Sequence, residues 1–111
     1  VLIRFWGTWC GACMRSMPRI NSLHEKYADD GLVIIGVTHR RNVDRMDDVA
    51  KDKNIQYPLC ADRDGSLGKA YRVSGYPDYY LIDRWGRLRV ADCQNQMVET
   101  AVKSLLAEEV K

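Results

Sequence analysis

The stretch VLIRFWGTWCGAC at residues 1–13 decides the fold. Its first part, residues 1–5, is almost continuously apolar, which is typical of a strand covered on both faces of a sheet. Apolar side chains then recur at helical spacing from Cys13 to Tyr27, which predicts a helix with one buried face. The sequence therefore places Cys10 and Cys13 where a strand passes into the first turn of a helix.

The position of these two cysteines predicts redox chemistry. The start of a helix carries unpaired N–H groups and about half a positive charge, so it favours a thiolate over a thiol. The thiolate is the reactive form, and its pKa in such motifs falls from ~8.5 to between ~3.5 and ~7.5. We expect Cys10 at or near the N-cap with an exposed sulfur, and Cys13 one turn further on, within reach of it.

Length and composition indicate one globular domain. The 111 residues suffice for one hydrophobic core and are too few for two. The net charge of +2 is too small to favour a nucleic-acid surface, and no apolar run reaches the roughly 20 residues that span a bilayer. Because Val1 begins directly on a strand without a methionine, we expect residues 1–111 to be a single domain cut from a longer precursor.

The remaining cysteines and the histidines do not suggest a metal site. A zinc site built on C-x-x-C needs a second close pair of ligands, and Cys60, Cys93, His24 and His39 are each solitary. Free cysteine is among the most buried residue types, so we expect Cys60 and Cys93 in the core rather than paired with each other. We expect His24 at the surface or at the boundary of the core, and His39 in a loop outside the site.

The rest of the chain predicts a βαβ unit, a β-hairpin and a closing helix. Because a helix separates them, the first two strands should be parallel. The predicted elements are a helix at 10–28, a strand at 32–37, a helix from residue 43 capped by Asn42, an edge strand at 57–60, helical turns at 66–71 capped by Ser66, hairpin strands at 79–82 and 87–90, and a last helix that buries Val98, Ala101, Val102, Leu105 and Leu106.

With these patterns in place, the chain resembles the thioredoxin fold, and more narrowly the TlpA/ResA-type branch of bacterial extracytoplasmic thiol-disulfide oxidoreductases. The resemblance is carried by FWGTWCGAC at residues 5–13, SMP at 16–18, VSGYP at 73–77 and YYLIDRWGR at 79–87. It implies a thioredoxin-like α/β fold, in which helices flank a mixed central sheet. The additional N-terminal strand or hairpin of the family is expected to be missing.

The resemblance also implies roles for individual residues. Cys10 would be the attacking thiolate, and Cys13 would resolve the mixed disulfide. Pro77 matches the cis-proline of the family, and the backbone of Tyr76 would pair with an extended substrate segment. Trp9 would shield one side of the disulfide. The other residues expected to contact substrate are Gly11, Ala12 and Gly75.

Two positions depart from the family pattern. Arg4 stands where thioredoxin has a buried acidic residue, and Ser16 stands where some ResA-like proteins have a glutamate. No carboxylate base for Cys13 can be identified. The Arg4 guanidinium would stabilise a thiolate if it points towards the site; alternatively, its head reaches out of the sheet. Both positions are candidates for tuning the cysteines.

The function implied by the resemblance is that of a protein-disulfide oxidoreductase, more as a reductant than as an oxidant. The Cys10–Cys13 disulfide would be its redox group, with no other cofactor and no metal. The expected partners are substrate protein disulfides and an upstream thiol protein that donates electrons. We expect a monomer that makes no contact with nucleic acid, and none with a membrane through this domain. The family implies an extracytoplasmic location, and a cytoplasmic one stays open.

Two other functions stay open from the sequence. A peroxiredoxin-like peroxidase is disfavoured, because Gly7 occupies the position where that family has threonine or serine. A redox-sensing or Cu(I)-binding module would use the same cysteines, since soft thiolates select Cu(I).

Overall fold

The computed structural model describes residues 1–108, which form one five-stranded sheet with four α-helices. The strands are β1 (Leu2–Trp6), β2 (Ile34–His39), β3 (Leu59–Asp62), β4 (Asp78–Ile82) and β5 (Leu88–Cys93). The helices are α1 (Gly11–Tyr27), α2 (Met46–Asp52), α3 (Ser66–Ala70) and α4 (Val98–Leu106). The strand order is β3-β2-β1-β4-β5. The predicted thioredoxin-like α/β fold with a mixed sheet is confirmed.

Strand β1 lies at the centre of the sheet. It pairs in parallel with β2 and antiparallel with β4. Its side chains are buried on both faces, with Trp6 fully buried and Phe5 1% exposed. The apolar run at residues 1–5 is therefore part of a strand that is covered on both faces, as predicted. Because β1 and β2 are parallel, their carboxyl ends emerge side by side at one edge of the sheet.

The helices are distributed unevenly over the two faces. Leu23 of α1 and Val102 of α4 pack into the main core on one face. On that same face, Val49 of α2 packs beside Trp6. The other face carries a smaller cluster that includes Phe5 and Tyr80, close to the end of α3. Packing from α2 therefore covers the first turn of α1, and α4 packs against the later turns of the same helix.

Neither predicted cap uses its side chain: Asn42 lies at the predicted N-cap position before residue 43, and Ser66 is already the first residue of α3. Asn42 adopts a left-handed backbone conformation with φ 55° and makes no side-chain cap. Its carbonyl instead accepts a hydrogen bond from the Thr8 hydroxyl at 3.1 Å. Ser66 also makes no cap. The carboxylate of Asp62, at the end of β3, accepts the amide N–H groups of residues 67–68 at 3.0 and 2.9 Å.

The two cysteines outside the C-x-x-C motif lie at opposite edges of the sheet. Cys93, at the end of β5, is buried as expected, but Cys60 is exposed, so its predicted core position is wrong. The reason is that β3 is an edge strand in which Leu59 packs towards the core and Cys60 does not. With three strands between them, the two thiols cannot form a disulfide.

No helix within residues 1–108 combines the length and apolar character needed to cross a membrane.

The predicted hairpin and closing helix are confirmed as β4, β5 and α4, although β5 runs three residues further than expected, to Cys93. A bulge in the β4–β5 pairing accommodates this longer strand.

The turn between β4 and β5 is organised by the buried carboxylate of Asp83. One carboxylate oxygen accepts the amide N–H groups of Trp85 and Arg87 at 2.9 and 3.0 Å. The other accepts the side chains of Arg87 and Arg89 at 3.1 and 3.2 Å. Burial opposes ionisation, but these hydrogen bonds outweigh it and lower the pKa of Asp83 to about 2.

We predict that Asp83→Asn lowers the unfolding temperature at neutral pH. Because the folded pKa of Asp83 lies below its ordinary value of 3.8, the stabilisation is complete above about pH 4 and is lost as the pH falls towards about 2. Thermal unfolding followed across this range should show the two proteins converging in acid. Asp29→Asn, at an exposed carboxylate, is the control. A difference between Asp83→Asn and the parent that persists unchanged in acid would contradict this assignment.

Candidate active site

Cys10 and Cys13 form a disulfide at the start of α1, with their Cα atoms 5.2 Å apart. Cys10 is the N-cap residue, and the amide N–H of Cys13 donates to its sulfur at 3.1 Å. The first turn of α1, which lies wholly within the described residues, contains no acidic side chain. The predicted placement at the strand–helix junction is confirmed. In the reduced protein, the helix N-terminus would favour a thiolate at Cys10.

The prediction that the Cys10 sulfur is exposed is wrong for this oxidised state. Cys10 is 5% exposed, and Cys13 is fully buried. Both belong to an apolar cluster that also contains Trp6, Met17 and Val49. Part of this cover comes from α2, which is far from the motif in sequence. A local pattern around the cysteines could not reveal it.

Trp9 lies at the surface beside the disulfide, with 38% of its area exposed. Its ring lies against Gly7, since a Cβ atom added at Gly7 would be 2.7 Å from Trp9 Cε2. A threonine or serine at position 7 would therefore force the Trp9 ring to move. Gly7 sets the position of Trp9 and leaves no hydroxyl at the place where a peroxiredoxin needs one.

Three aromatic rings meet next to Cys10. The centroid of Trp9 lies 5.4 Å from that of His39 and 5.7 Å from that of Tyr76, and the last two are 5.2 Å apart. His39 therefore contacts the site, and its predicted position outside it is wrong. Parallel pairing of β2 with β1 brings the end of β2 beside the cysteines.

Arg41 completes this aromatic group and was missed by the sequence analysis. Its guanidinium carbon lies 5.4 Å from the centroid of the Trp9 ring. Its amide N–H donates to His39 Nδ1 at 2.9 Å, so this nitrogen acts as an acceptor. The only sequence cue for Arg41 was its place in the polar segment that follows β2.

The Gly-Tyr-Pro segment lies between α3 and β4. Its Tyr76–Pro77 peptide bond is cis. Tyr76 is half-buried and packs against the apolar cluster that contains Cys10. Gly75 is exposed, and no heavy atom lies within 4 Å of where its Cβ would be. Of the other residues predicted to contact substrate, Gly11 is exposed, and Ala12 and Pro77 are half-buried.

Arg4 is fully buried, and its guanidinium points towards α1. One terminal nitrogen donates to the Cys13 carbonyl at 2.8 Å and to Ser16 Oγ at 3.0 Å. Its Nε donates to Tyr79 Oη at 3.3 Å. The alternative in which this head group reaches out of the sheet is wrong. Ser16 is also buried, and its hydroxyl donates to the Ala12 carbonyl at 3.0 Å.

The buried charge of Arg4 has no carboxylate partner within residues 1–108. Asp78 is the acid nearest to it in the strand pairing, but Asp78 pairs with Phe5 and so faces the other side of the sheet. Burial and a hydrogen bond with Asp92 raise the pKa of Asp78 to about 6. The site therefore contains a buried cation beside Cys13, while Asp78 lies on the opposite face of the sheet.

Comparison with known proteins identifies the family. The AhpC/TSA family matches residues 1–91. The chain belongs to this family. Within it, thiol-disulfide oxidoreductase YkuV of Bacillus subtilis is 32% identical over 96% of this chain and 77% of its own length. Thiol-disulfide oxidoreductase ResA of Bacillus thuringiensis subsp. konkukian is 33% identical over 79% of this chain. The chain spans about half the length of the ResA relatives that it matches, 51% in this case.

Solved structures share the fold of this AhpC/TSA family member. A Chlorobium tepidum protein, provisionally named thiol:disulfide interchange protein DsbE, has a TM-score of 0.86 and 23% identity, covering 96% of this chain and 79% of its own. A thiol:disulfide interchange protein from Bacteroides sp. has a TM-score of 0.80 and 18% identity, covering 96% of this chain and 72% of its own. Together with the relatives in sequence, they support a thioredoxin-like domain of the TlpA/ResA type.

We predict that Arg4→Met makes the midpoint potential of the Cys10–Cys13 couple more negative. A cation buried beside Cys13 favours the thiolate of the reduced state over the neutral disulfide. Since about 30 mV corresponds to about 1.4 kcal/mol for a two-electron couple, we expect a shift of tens of millivolts. Equilibration with thiol–disulfide buffers measures it.

Arg4→Lys is the matched control for this measurement, because it keeps the charge and should retain most of the parent potential. Circular dichroism should first establish that both variants are folded. If folded Arg4→Met has the parent potential, the guanidinium has no electrostatic influence on the couple.

Proposed function

We propose that this domain is a thiol-disulfide oxidoreductase that exchanges its Cys10–Cys13 dithiol with disulfides of substrate proteins. The observation that carries the proposal is the disulfide at the N-terminus of α1, where the Cys13 amide points at the Cys10 sulfur. The names of the YkuV and ResA relatives support the same activity. No group other than this pair of sulfurs is needed for the exchange.

The reaction proceeds in two displacements. The Cys10 thiolate attacks one sulfur of the substrate disulfide, which forms a mixed disulfide and releases the other substrate sulfur as a thiolate. Cys13 then attacks the Cys10 sulfur, which closes the internal disulfide and releases the second substrate thiolate. Two electrons pass from the domain to the substrate. The Cys13 proton, lost in the second step, passes through solvent to a released thiolate.

Arg4 stabilises the Cys13 thiolate in this scheme, while solvent accepts the proton. Cys13 must be deprotonated before it can attack, and the guanidinium that contacts its carbonyl favours the anion. Ser16 holds the same guanidinium nitrogen and so fixes its position. These two residues act on the potential and on the second step rather than on substrate binding.

The substrate would dock as an extended segment along Tyr76–Pro77. Proline has no N–H to donate, and the backbone beside it is available for pairing with another chain. The exposed Gly11 and Gly75 let a second backbone approach, and Trp9 and Tyr76 flank Cys10. The small side chain of Ala12 leaves space for the substrate backbone on this surface.

The remaining parts of the proposal follow the resemblance to the TlpA/ResA branch. The domain works as a reductant, receives its electrons from an upstream thiol protein, acts as a monomer and is located outside the cytoplasm. The substrate proteins and the donor are recognised through the surface around Cys10.

The two alternatives have weaker support. For a peroxidase, Gly7 supplies no hydroxyl where such chemistry uses one, and a threonine or serine there would displace the Trp9 ring. For a metal-binding module, no three His, Cys, Asp or Glu side chains within residues 1–108 are placed to share an ion. A soft cation such as Cu(I) would have to bind the reduced Cys10–Cys13 pair alone.

We predict that Cys10→Ser abolishes the reduction of insulin disulfides, because the attacking sulfur is lost. Cys13→Ser should instead accumulate a mixed disulfide with the substrate, since nothing resolves it. Turbidity and non-reducing gels with mass spectrometry measure the two outcomes. Cys60→Ser is the matched control, because it removes an exposed thiol outside the C-x-x-C motif and should keep full activity.

Full insulin reduction by Cys10→Ser would overturn the proposal. Rapid peroxide consumption by the parent protein would favour the peroxidase instead. Stoichiometric Cu(I) binding without reductase turnover would favour the metal-binding module.

A further inference from the structure

A groove of about 550 Å³ opens at His39 and Tyr76, the two rings that contact Trp9, between the loop that follows β2 and helix α3. We call it the cationic groove, after the three basic residues in its lining, Arg40, Lys69 and Arg72. We propose that the cationic groove binds an acidic side chain of the substrate segment near its reactive cysteine, so that the domain prefers disulfides flanked by Asp or Glu. This inference rests on the proposed oxidoreductase function and adds a substrate class to it.

The basic side chains of the groove are available to a ligand. Arg40, Lys69 and Arg72 are exposed, and within residues 1–108 none of them forms an ion pair. The Arg40 guanidinium lies 4.0 Å from the Cβ position of Gly65, at the base of the groove. Three unpaired cations around one concavity attract a carboxylate and repel a lysine or arginine.

The two acids in the lining are already engaged by the start of α3. Asp62 is 6% exposed, and its two oxygens accept the amide N–H groups of residues 67–68. Asp64 accepts the amide N–H of Ser66 at 3.0 Å, and this hydrogen bond lowers the pKa of Asp64. These carboxylates therefore neutralise the cations only in part, and three positive charges against two negative ones leave one in excess.

The groove begins one side chain away from the reacting sulfur. Tyr76 lines the groove and also packs edge-on against Trp9, the neighbour of Cys10. His39 lines the groove as well and contacts both rings. Since an extended chain advances about 3.3 Å per residue, a side chain two or three positions from the substrate cysteine would reach the basic residues.

On the other side of Pro77, the charged side chains are acidic rather than basic. A second pocket, of about 350 Å³, is lined there by Gly75, Asp78, Asp92 and neighbouring residues, with no lysine or arginine in its lining, which lies wholly within the described chain. The charge thus changes sign across the segment on which the substrate would dock. An acidic residue should therefore be favoured on one flank of the substrate cysteine and not on the other.

The test uses single-cysteine peptides in mixed disulfide with a small neutral thiol. The peptides differ only in a Glu, Gln or Lys two residues before or two residues after the cysteine. We expect kcat/KM at low ionic strength to be two- to fivefold higher for Glu than for Gln on one flank, the size of one exposed ion pair. Lys should be slower than Gln there, and added salt should reduce the preference.

Variants of the groove assign the preference to its cations. Lys69→Gln and Arg72→Gln should bring the Glu/Gln ratio close to one. Lys103→Gln, which removes an exposed charge from α4 outside the groove, should keep the parent ratio. Because the readout is a ratio within each variant, a general loss of activity or stability does not mimic the result. Equal rates for Glu and Gln on both flanks, or a ratio that survives in Lys69→Gln and Arg72→Gln, would overturn the inference.

Binding of the same peptides with an S-methylated cysteine separates this inference from the proposed function. Tighter binding of the Glu peptide, lost in Lys69→Gln and Arg72→Gln, supports the groove even if no peptide is reduced, in which case the oxidoreductase proposal is what fails. Reduction of every peptide without any preference, and with equal binding, supports the oxidoreductase and overturns the groove.

Discussion

The amide N–H of Cys13 points at the sulfur of Cys10 because a short turn at residues 7–10 leads from the end of β1 into the first turn of α1. This contact needs a rigid support, since a helix start that moved would lose its orientation towards the sulfur. The support comes from the centre of the sheet, where Trp6 is buried, and from α2 and α4, which pack on the same face as α1. The chemistry proposed for Cys10 therefore depends on how firmly β1 is enclosed.

Arg4 shows the energetic cost of this arrangement. Moving a charged side chain out of water costs several kcal/mol, even after the protein relaxes. Here the cost is offset by hydrogen bonds to the Cys13 carbonyl, Ser16 and Tyr79, and no carboxylate within residues 1–108 contributes. A hydrophobic residue would fill the same space more simply. Its contact with the Cys13 carbonyl places the cation where it can act on the redox couple.

Much of the fold could be predicted because its signals are local. The apolar run of β1, the helical spacing of α1 and the need for a helical crossover to β2 each follow from a few adjacent residues. The C-x-x-C motif at the strand–helix junction could be placed for the same reason. The Gly-Tyr-Pro segment was recognised through a resemblance, and the position of its Tyr76 beside Trp9 and Cys10 became visible only in the folded chain.

The failures concern contacts between distant segments. His39 reaches the site only because β2 pairs in parallel with β1, and Cys10 is covered by a helix more than thirty residues away. The cap of α3 comes from Asp62 in the preceding strand rather than from Ser66. Cys60 is exposed because β3 is the last strand on its side of the sheet. The edge strand that carries Cys60 was predicted, but which of its side chains face the core was not. The contacts of His39, Cys10 and Asp62 have no signature in the residues immediately around them.

Activation of Cys10 by the start of α1 is tested most directly by the thiol pKa of Cys10 in the reduced protein, with Cys60 as an internal reference. Partial desolvation by the surrounding chain and the nearby charge of Asp62 raise the pKa of Cys60. Alkylation across a range of pH, read for each cysteine by peptide mass spectrometry, gives the midpoint of each labelling curve independently of how accessible the sulfur is. We predict a midpoint for Cys10 below the usual ~8.5 and well below that of Cys60. A Cys10 midpoint equal to or above that of Cys60 would contradict the claim that the start of α1 activates this sulfur.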